Sequence, residues 1–343
     1  MELVTAPSPE APTLAPSPPR YTSLAEIQGP IEHELRYFRE YFRGSMQSPV
    51  KLLDRVVRYL LRQKGKQVRP LLVLLTAKAC GGITESSYRG AALVELLHNA
   101  TLVHDDVVDG ADTRRGLFSI NALWKNKVAV LFGDFLLSRG LLLALDYKEY
   151  DLLHTLSDAI RRMSEGELLQ ISKTRKLDID EETYFRIISD KTASLLAACV
   201  RCGALSATDD ARIVARMGDM GEHLGLAFQI RDDLFDYGLA DVGKPVGIDL
   251  QEKKLTLPLI HALREAPARE RRQILKIVRK KRKSKADIRT VSTFVRAQGG
   301  LAYAQDKMYA HADAARDLLL TLPSTEARDA LVGLVEFIVK RTK

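Results

Sequence analysis

The chain has 343 residues, of which 46% are hydrophobic and 28% charged, a balance typical of a folded globular protein. Three cysteines are too few for a disulfide framework, and one Cys-x-x-Cys pair lacks the other two ligands of a structural zinc site. The formal net charge of +8 leaves three classes of partner open: nucleic acid, a membrane surface or phosphorylated small molecules.

The first segment, residues 1–22, is rich in proline and is predicted to be a disordered tail. Six of the thirteen prolines lie in the first twenty residues, where they favour extended conformations. No basic residue precedes Arg20 and no apolar segment resembles a secretory signal, so we expect a cytoplasmic protein. Further along, the longest apolar stretch, Phe132 to Leu145, is interrupted by Arg139, and no membrane span is predicted.

Residues 23–343 are predicted to form one all-α domain. Apolar residues recur at helical spacing, for example at Leu52, Val56 and Leu60, and sustained strand alternation is absent. Glycines divide this region into about ten or more helices, with predicted breaks at Gly65, Gly81-Gly82, Gly110, Gly203, Gly243 to Gly247 and Gly299-Gly300. The expected architecture is a single bundle of helices around a central cavity.

Two of the predicted helices end in clusters of aspartates. The first, Val94 to Asp109, ends with Asp105, Asp106 and Asp109, and the second, Met217 to Asp236, ends with Asp232, Asp233 and Asp236. Within a cluster the carboxylates share a helical face and repel one another, at the end where the helix dipole also disfavours negative charge. One such cluster is equally compatible with a solvated helix end, but two copies after mostly apolar helices favour a metal site. Ligands that are all oxygen indicate Mg²⁺, with several ions completed by waters and substrate phosphates.

Basic residues near these clusters are suited to binding diphosphates. They are Lys66, Arg69, Arg114, Arg115, Lys191, Lys244 and Lys254. Arginine offers a planar fork to phosphate oxygens and lysine a mobile charge, although each residue alone is also compatible with ordinary surface charge. The turn at Gly110 favours the return of Arg114 and Arg115 over the metal site. His98 lies about two helical turns before Asp105 on the same face. Its role is either to donate a hydrogen bond to a phosphate or to serve as a partly buried structural residue.

The densest basic run, residues 279–285, contains no interleaved aromatic residue and no motif for binding nucleic acid. Nucleic acid is therefore not expected as a partner. The run is interpreted as a solvated loop, and the alternative is that it is attracted to anionic lipid. Any contact with a membrane is therefore expected to be peripheral at most.

Taken together, these motifs resemble those of the trans-type isoprenyl diphosphate synthases, the polyprenyl synthetase family, from about Ile31 to the C-terminus. The resemblance rests on Gly-Lys-x-x-Arg-Pro at 65–70, His-Asp-Asp-x-x-Asp ending at Asp109, Arg-Arg-Gly at 114–116, Lys191-Thr192, Phe-Gln-x-x-Asp-Asp-x-x-Asp from Phe228, and the segment Lys244 to Pro258. Two departures concern loop detail: Lys64 precedes Gly65 where a second glycine is common, and Lys253 replaces the glycine of a usual Glu-Gly-Lys.

The resemblance implies a magnesium-dependent, head-to-tail condensation of isopentenyl diphosphate with an allylic diphosphate. Asp105, Asp109 and Asp232 would be the principal Mg²⁺ ligands, assisted by Asp106, Asp233 and Asp236. Arg114, Lys191 and Lys244 would hold the allylic diphosphate, and Lys66, Arg69, His98 and Arg115 would hold isopentenyl diphosphate. Thr192 and Gln229 would face the transient carbocation, and Lys254 would belong to a closing C-terminal segment.

The resemblance also bears on the length of the product. Family members with a bulky aromatic residue four or five positions before the first aspartate stop elongation early, whereas this chain has Thr101 and Ala100 there. A long all-trans product, such as a quinone side-chain precursor, is therefore expected, with Leu97, Leu93 or a facing helix around Phe135 to Leu142 as the floor of the tunnel. Ala100 is alternatively a residue that merely permits close helix packing.

Other functions and assemblies remain as alternatives at this stage. They are a shorter-chain farnesyl or geranylgeranyl diphosphate synthase, a subunit of a heteromeric synthase, and a terpene cyclase or head-to-head condensing enzyme. The basic residues and the second Asp-Asp-x-x-Asp argue against the cyclase, and the completeness of both clusters argues against a non-catalytic subunit. The family suggests a homodimer.

Overall fold

A computed structural model describes residues 21, 23–63, 65–176, 179–238 and 247–340. In this part of the chain the first helices are α1 (Leu24–Gln28), α2 (Glu32–Ser45), α3 (Lys51–Arg62), α4 (Val68–Cys80), α5 (Glu85–Val108), α6 (Ile120–Asp146), α7 (Tyr150–Lys176) and α8 (Glu181–Ile188). They are followed by α9 (Ser194–Leu205), α10 (Ala211–Phe235), α11 (Ile248–Gln251), α12 (Leu257–Glu265), α13 (Ala268–Arg279), α14 (Lys285–Ala297), α15 (Gly300–Leu320) and α16 (Glu326–Lys340). A 3₁₀ turn covers Gly29–Ile31, a π-helix covers Ser189–Ala193, and two short strands are β1 (Thr113–Arg114) and β2 (Leu117–Phe118).

The predicted all-α bundle is confirmed. At its centre, α10 packs against α9 and α15, α9 packs against α4, and α5 packs along α6. The middle of the central helix α4 is apolar on all sides, and Leu71 to Leu75 are completely buried. A helix without a polar face needs neighbours all around it, which explains why the other helices surround α4.

The two helices that carry the acidic clusters are longer than predicted. Helix α5 begins at Glu85 rather than near Val94, because Thr84 and Ser87 form a reciprocal capping box at its start. Helix α10 begins at Ala211 rather than near Met217, because the side chain of Asp210 accepts a hydrogen bond from the backbone of Arg212. Their C-terminal ends agree with the prediction within one residue.

The predicted helix break at Gly203 is wrong, because this glycine lies inside α9. A Cβ atom at Gly203 would lie 2.4 Å from the carbonyl oxygen of Val73 in α4. The residue is therefore glycine so that the two helices can approach closely, and not so that the chain can turn.

Replacing Gly203 by alanine should lower the free energy of unfolding by about 3 kcal/mol, because backbone atoms would have to move apart. Gly44 near the end of α2 is the matched control, since a Cβ atom added there would have no neighbouring atom within 4 Å. Gly44→Ala should be neutral or stabilising by up to about 1 kcal/mol. Chemical denaturation of both variants measures the difference, and equal stabilities would contradict the close approach of α4 and α9.

The expectation that no segment is long and apolar enough to span a membrane is also wrong. Helix α6 meets that criterion by length and composition, because one arginine, Arg139, does not offset the surrounding leucines. Only 33% of the most apolar 18-residue stretch of α6 is buried within the chain. The buried side of α6 packs against α5, where a Cβ on Gly140 would lie 3.2 Å from Leu93 and Leu97. The remaining side exposes leucine and valine residues.

Candidate active site

The first acidic cluster lies at the C-terminal end of α5, where its three carboxylates have different surroundings. Asp106 is buried and binds Arg114, with its Oδ1 atom 2.7 Å from the Nε atom. Asp105 and Asp109 are exposed. Partial desolvation, and then the negative charge of Asp109, raise the pKa of Asp105, whereas Arg114 and Lys191 act in the opposite direction. A cation between Asp105 and Asp109 would relieve this repulsion.

A β-hairpin directly after this cluster carries the Arg-Arg-Gly motif. Thr113 pairs with Phe118 and Arg114 with Leu117, so that Arg115 and Gly116 form the turn with positive φ angles of 52° and 76°. Two-residue hairpin turns of this type require positive φ at both positions. The predicted return of the chain after Gly110 brings Arg114 onto the acidic cluster, but the same prediction for Arg115 is wrong.

Arg115 of the same hairpin points to a different part of the molecule, beside Gly65. Its guanidinium lies against Gly65, where an added Cβ atom would come within 2.5 Å of Nη1 and displace the arginine side chain. Nη1 of Arg115 also lies 3.4 Å from the carbonyl oxygen of Gln63. The glycine at the start of the Gly-Lys-x-x-Arg-Pro motif therefore makes room for an arginine from the Arg-Arg-Gly motif.

The second acidic cluster lies at the C-terminal end of α10. Asp233 is buried and accepts hydrogen bonds from Tyr184 at 2.7 Å and from Gln229 at 2.9 Å, while burial raises its pKa to about 7. Oδ1 of Asp236 accepts hydrogen bonds from the backbone of Gly247 and Ile248, and its buried Oδ2 atom has no hydrogen-bond partner.

The π-helix Ser189–Ala193 connects the two acidic ends through Lys191 and Thr192. Lys191 forms an ion pair with Glu167 of α7, and both charges act on Asp105 of the first cluster. The hydroxyl of Thr192 donates to Gln229 at 2.9 Å, and Gln229 donates to Asp233 of the second cluster. The π-helix therefore influences both clusters: the charge of Lys191 acts on Asp105 of the first, and Thr192 is hydrogen-bonded through Gln229 to Asp233 of the second. π-Helical turns of this kind frequently occur at functional sites.

A cavity of about 900 Å³ brings most of the other predicted residues together. Its walls include Lys66, Arg69, His98, Arg115, Lys191, Thr192 and Gln229. Burial, followed by the positive charge of Arg69, lowers the pKa of His98 to about 2, so its imidazole is neutral. A cavity with several cations and one neutral donor is suited to an anionic ligand.

Glu95 in the wall of this cavity was not identified from the sequence. Its Oε1 atom lies 3.8 Å from Nη1 of Arg69, and Asn99 donates to Oε2. Burial is the largest effect on Glu95 and raises its pKa, against the lowering effect of Arg69 and Arg115. Glu95 lies three residues before His98 on the same face of the helix, and this spacing could have identified it as a neighbour of the site.

Polar atoms without partners concentrate in this wall. Arg69 Nε, Glu95 Oε1 and His98 Nδ1 are buried and have no hydrogen-bond partner. Such atoms are costly in an apolar interior and are expected where a polar ligand binds. Ligand atoms would complete this hydrogen bonding.

Lys254 lies near the second cluster rather than in the large cavity. Its Nζ atom is 2.5 Å from Glu252 and 3.4 Å from Asp249, and Asp249 raises the pKa of Asp233 and Asp236. A small cavity beside them, lined by Asp233, Asp249 and Lys254 among others, also reaches Lys191 and Thr192. Lys244 lies outside the described residues, as does Lys64.

The two positions predicted to control product length lie in α5, one turn or more before Asp105. Ala100 is 3% exposed, and the hydroxyl of Thr101 donates to the carbonyl of His98. Helix α6 faces this part of α5, as predicted, and its Phe132 and Leu136 are completely buried. Among the described residues, the lining of the 900 Å³ cavity does not include Ala100 or Thr101, so the tunnel remains a prediction.

The donor atoms at the two helix ends fit a hard divalent cation, although the carboxylates are not preassembled around one. Among the residues that the structure describes, no three His, Cys, Asp or Glu side chains are grouped closely enough to hold a metal ion. Asp106, Asp233 and Asp236 instead accept hydrogen bonds from other groups of the protein. The oxygen-only donor set, the buried orphan oxygen of Asp236 and the repulsion between Asp105 and Asp109 are all consistent with Mg²⁺.

Comparison with known proteins gives the same interpretation. Residues 50–295 match the family model described as polyprenyl synthetase. The octaprenyl diphosphate synthase of Escherichia coli (strain K12) is 36% identical over 300 residues, which cover 87% of this chain and 93% of that protein.

Two solved structures are similar over nearly their whole length. A decaprenyl diphosphate synthase from Rhodobacter capsulatus has a TM-score of 0.86 at 33% identity, covering 94% of this chain and 100% of that one. A polyprenyl synthase from Caulobacter crescentus CB15, complexed with calcium and isoprenyl diphosphate, has a TM-score of 0.84 at 34% identity, covering 95% and 100%. The chain belongs to the polyprenyl synthetase family.

Proposed function

We propose that this prenyltransferase condenses isopentenyl diphosphate head-to-tail with an allylic diphosphate and releases a long-chain all-trans polyprenyl diphosphate. The similarity to octaprenyl and decaprenyl diphosphate synthases supports a long product. The observation that carries the proposal is the shared cavity, in which Lys66, Arg69 and Arg115 lie in one space with Lys191.

The proposed division of the site assigns one diphosphate to each group of cations. Lys66, Arg69, His98 and Arg115 hold isopentenyl diphosphate, whose phosphate oxygens complete the buried donors of the cavity wall. Arg114 and Lys191, with Lys244, hold the allylic diphosphate beside Asp105. The two substrates then lie on either side of Thr192 and Gln229.

Magnesium ions, held by Asp105, Asp109 and Asp232 with Asp106, Asp233 and Asp236 assisting, would supply charge stabilisation to the departing diphosphate. A metal fits this role because the clusters offer only oxygen ligands. The similar polyprenyl synthase that was crystallised with calcium supports a divalent cation.

The side chains of the protein have three tasks in this reaction. Lys191 and Arg114 stabilise the diphosphate as the allylic carbon–oxygen bond breaks and its electron pair passes to oxygen. The oxygens of Thr192 and Gln229 face the resulting carbocation while the double bond of isopentenyl diphosphate attacks it. The released diphosphate accepts the proton that is lost when the new double bond forms, and the apolar residues of the cavity wall, among them Leu72, Leu195 and Phe228, exclude water.

Purified chain, incubated with labelled isopentenyl diphosphate, an allylic primer and Mg²⁺, should form long polyprenyl diphosphates without any second protein. Chelation of the metal should abolish turnover, and added Mg²⁺ should restore it. A single chain that binds substrates but does not react would instead indicate a subunit of a heteromeric synthase. A product no longer than geranylgeranyl diphosphate would contradict the long-chain assignment, and hydrocarbon formed from an allylic diphosphate alone would indicate a cyclase.

We also propose that two copies associate through the exposed side of α6. This side carries apolar side chains that are exposed in the single chain, namely Leu123, Val130, Leu131, Leu137, Leu141, Leu142 and Leu145. An apolar helix face of this length is unfavourable in water and is typical of an interface. Sedimentation equilibrium should give twice the chain mass of 38.3 kDa, and a monomer at micromolar concentration would exclude this interface.

A further inference from the structure

The hairpin of helices α13 and α14, residues 268–297, carries an unusual concentration of positive charge. These thirty residues contain twelve lysines and arginines but only two acids, Glu270 and Asp287, a net charge of +10. The whole chain has a net charge of +8, so the rest of the molecule is slightly negative. We call residues 268–297 the basic hairpin.

The exposed cations of the basic hairpin form two stripes. On α13 the stripe consists of Arg269, Arg272, Lys276 and Arg279, with the exposed Arg271 outside it, and on α14 it consists of Lys285, Arg289 and Arg296. In each helix these positions share one face, opposite the buried residues Ile274 and Val278 of α13 or Val291 and Val295 of α14. The exposed Lys280, Lys281 and Arg282 connect the two stripes through the loop.

Little of this charge is neutralised within the hairpin. Asp287 binds Lys280 at 2.6 Å and caps α14 through Ser284. Glu270 accepts a hydrogen bond from Gln298. Repulsion among the remaining cations destabilises the folded chain, so an anionic partner is expected to bind them.

The loop of the basic hairpin is attached to the acidic end of α10. Gln251 exchanges two hydrogen bonds with the backbone of Lys283, at 2.8 and 3.2 Å. Gln251 ends the short helix α11, and the backbone amides of Ile248 at its start and of Gly247 just before it donate hydrogen bonds to Asp236. The basic hairpin therefore lies at the same end of the bundle as the second acidic cluster.

We propose that the basic hairpin docks the protein on the surface of an anionic lipid bilayer. The proposal rests on the proposed function, because a long polyprenyl diphosphate is an amphiphile that must leave the site for a bilayer. Two rows of cations joined by a basic loop are complementary in charge to a surface of lipid phosphates, and each cation near that surface contributes to the attraction. None of the large apolar side chains between 268 and 297 is exposed, so the attraction is electrostatic and the hairpin does not insert. Exposed aromatic residues that would stack on nucleic-acid bases are also absent from it.

Flotation with lipid vesicles tests the proposal independently of catalysis. The full chain should bind vesicles of phosphatidylcholine with roughly 30% phosphatidylglycerol, and not vesicles of phosphatidylcholine alone. Raising the salt from about 0.1 M to about 0.5 M should release it. Replacing Arg269, Arg272, Lys276 and Arg279 together by Gln should lower the partition coefficient on the order of a thousandfold.

Helix α3 provides the matched control, since it also has a stripe of four exposed cations, Lys51, Arg55, Arg58 and Arg62. Replacing these four by Gln removes the same charge and should leave vesicle binding nearly unchanged. Equal loss of binding in both variants, or no binding by the wild type, would overturn the proposal. Tighter binding of a single-stranded RNA oligonucleotide than of anionic vesicles would also overturn it. Prenyl transfer in detergent, assayed on the same variants, separates this result from failure of the proposed function.

Discussion

Replacing Asp105 or Asp232 by Asn should lower kcat/KM for prenyl transfer by at least about 10³-fold, a loss of roughly 4 kcal/mol of transition-state stabilisation. Asp105 and Asp232 belong to the two different acidic clusters, and each change removes one anionic oxygen ligand while keeping the size of the side chain. The Mg²⁺ concentration for half-maximal activity should also rise, because the remaining ligands bind the metal more weakly. Initial rates at several Mg²⁺ concentrations, with saturating allylic primer, measure both effects.

A third aspartate distinguishes loss of a metal ligand from loss of any helix carboxylate. Asp219 is exposed on the same helix as Asp232, some three and a half turns earlier. Asp219→Asn should keep wild-type activity and metal dependence. If Asp105→Asn or Asp232→Asn behaved like Asp219→Asn, the two acidic clusters would not form the catalytic metal site. Thermal unfolding of all three variants excludes misfolding as the cause.

The helix ends of the candidate site were predictable because their signals are local. Asp109 and Asp236 end α5 and α10 within one residue of the predicted positions, since a cluster of repelling acids followed by a turn ends a helix from its own sequence. The return of Arg114 to Asp106 follows from the short hairpin, whose turn also needs only neighbouring residues.

Features that depend on contacts between distant segments were not predictable. Gly203 was interpreted as a break because glycine usually disfavours a helix, yet the backbone of α4 requires it at that place. The π-helix that carries Lys191 is accommodated by Gly166 and Gly225, whose absent side chains leave room for Asp190 and Ala193. No periodicity in one segment reports on such a close approach.

At position 253, where this chain has lysine and the family usually has glycine, the backbone angle φ explains why glycine is usual. The φ of 62° at Lys253 lies in the left-handed region, which costs a residue with a side chain roughly 1 kcal/mol. The sequence identified the departure but not its cause. The lysine follows the short helix α11 and precedes Lys254, so the strained position lies beside a residue of the candidate site.

Replacing Ala100 by Phe should shorten the product by several isoprene units while prenyl transfer continues. Ala100 lies five residues before Asp105, about 7.5 Å along α5, on the side away from the metal ligands where the growing chain is proposed to run. The benzyl group would occupy that space, and the nearby helix α6, with Phe132 and Leu136 buried, leaves it little room to turn away. Chromatographic sizing of dephosphorylated products measures the change.

Ala100→Ser is the matched control for this change, because it adds a polar atom but little volume. It should keep the product of the wild type. Overpacking in Ala100→Phe is expected to cost about 1–3 kcal/mol of stability, so the product distribution, rather than the total rate, is the decisive readout. A distribution in Ala100→Phe identical to that of the wild type would mean that Ala100 serves only the close packing of α5, and that the growing chain follows another path. A shorter product in Ala100→Phe alone would instead locate the wall of the tunnel at this turn of α5, since Ala100→Ser changes the same position with little added volume.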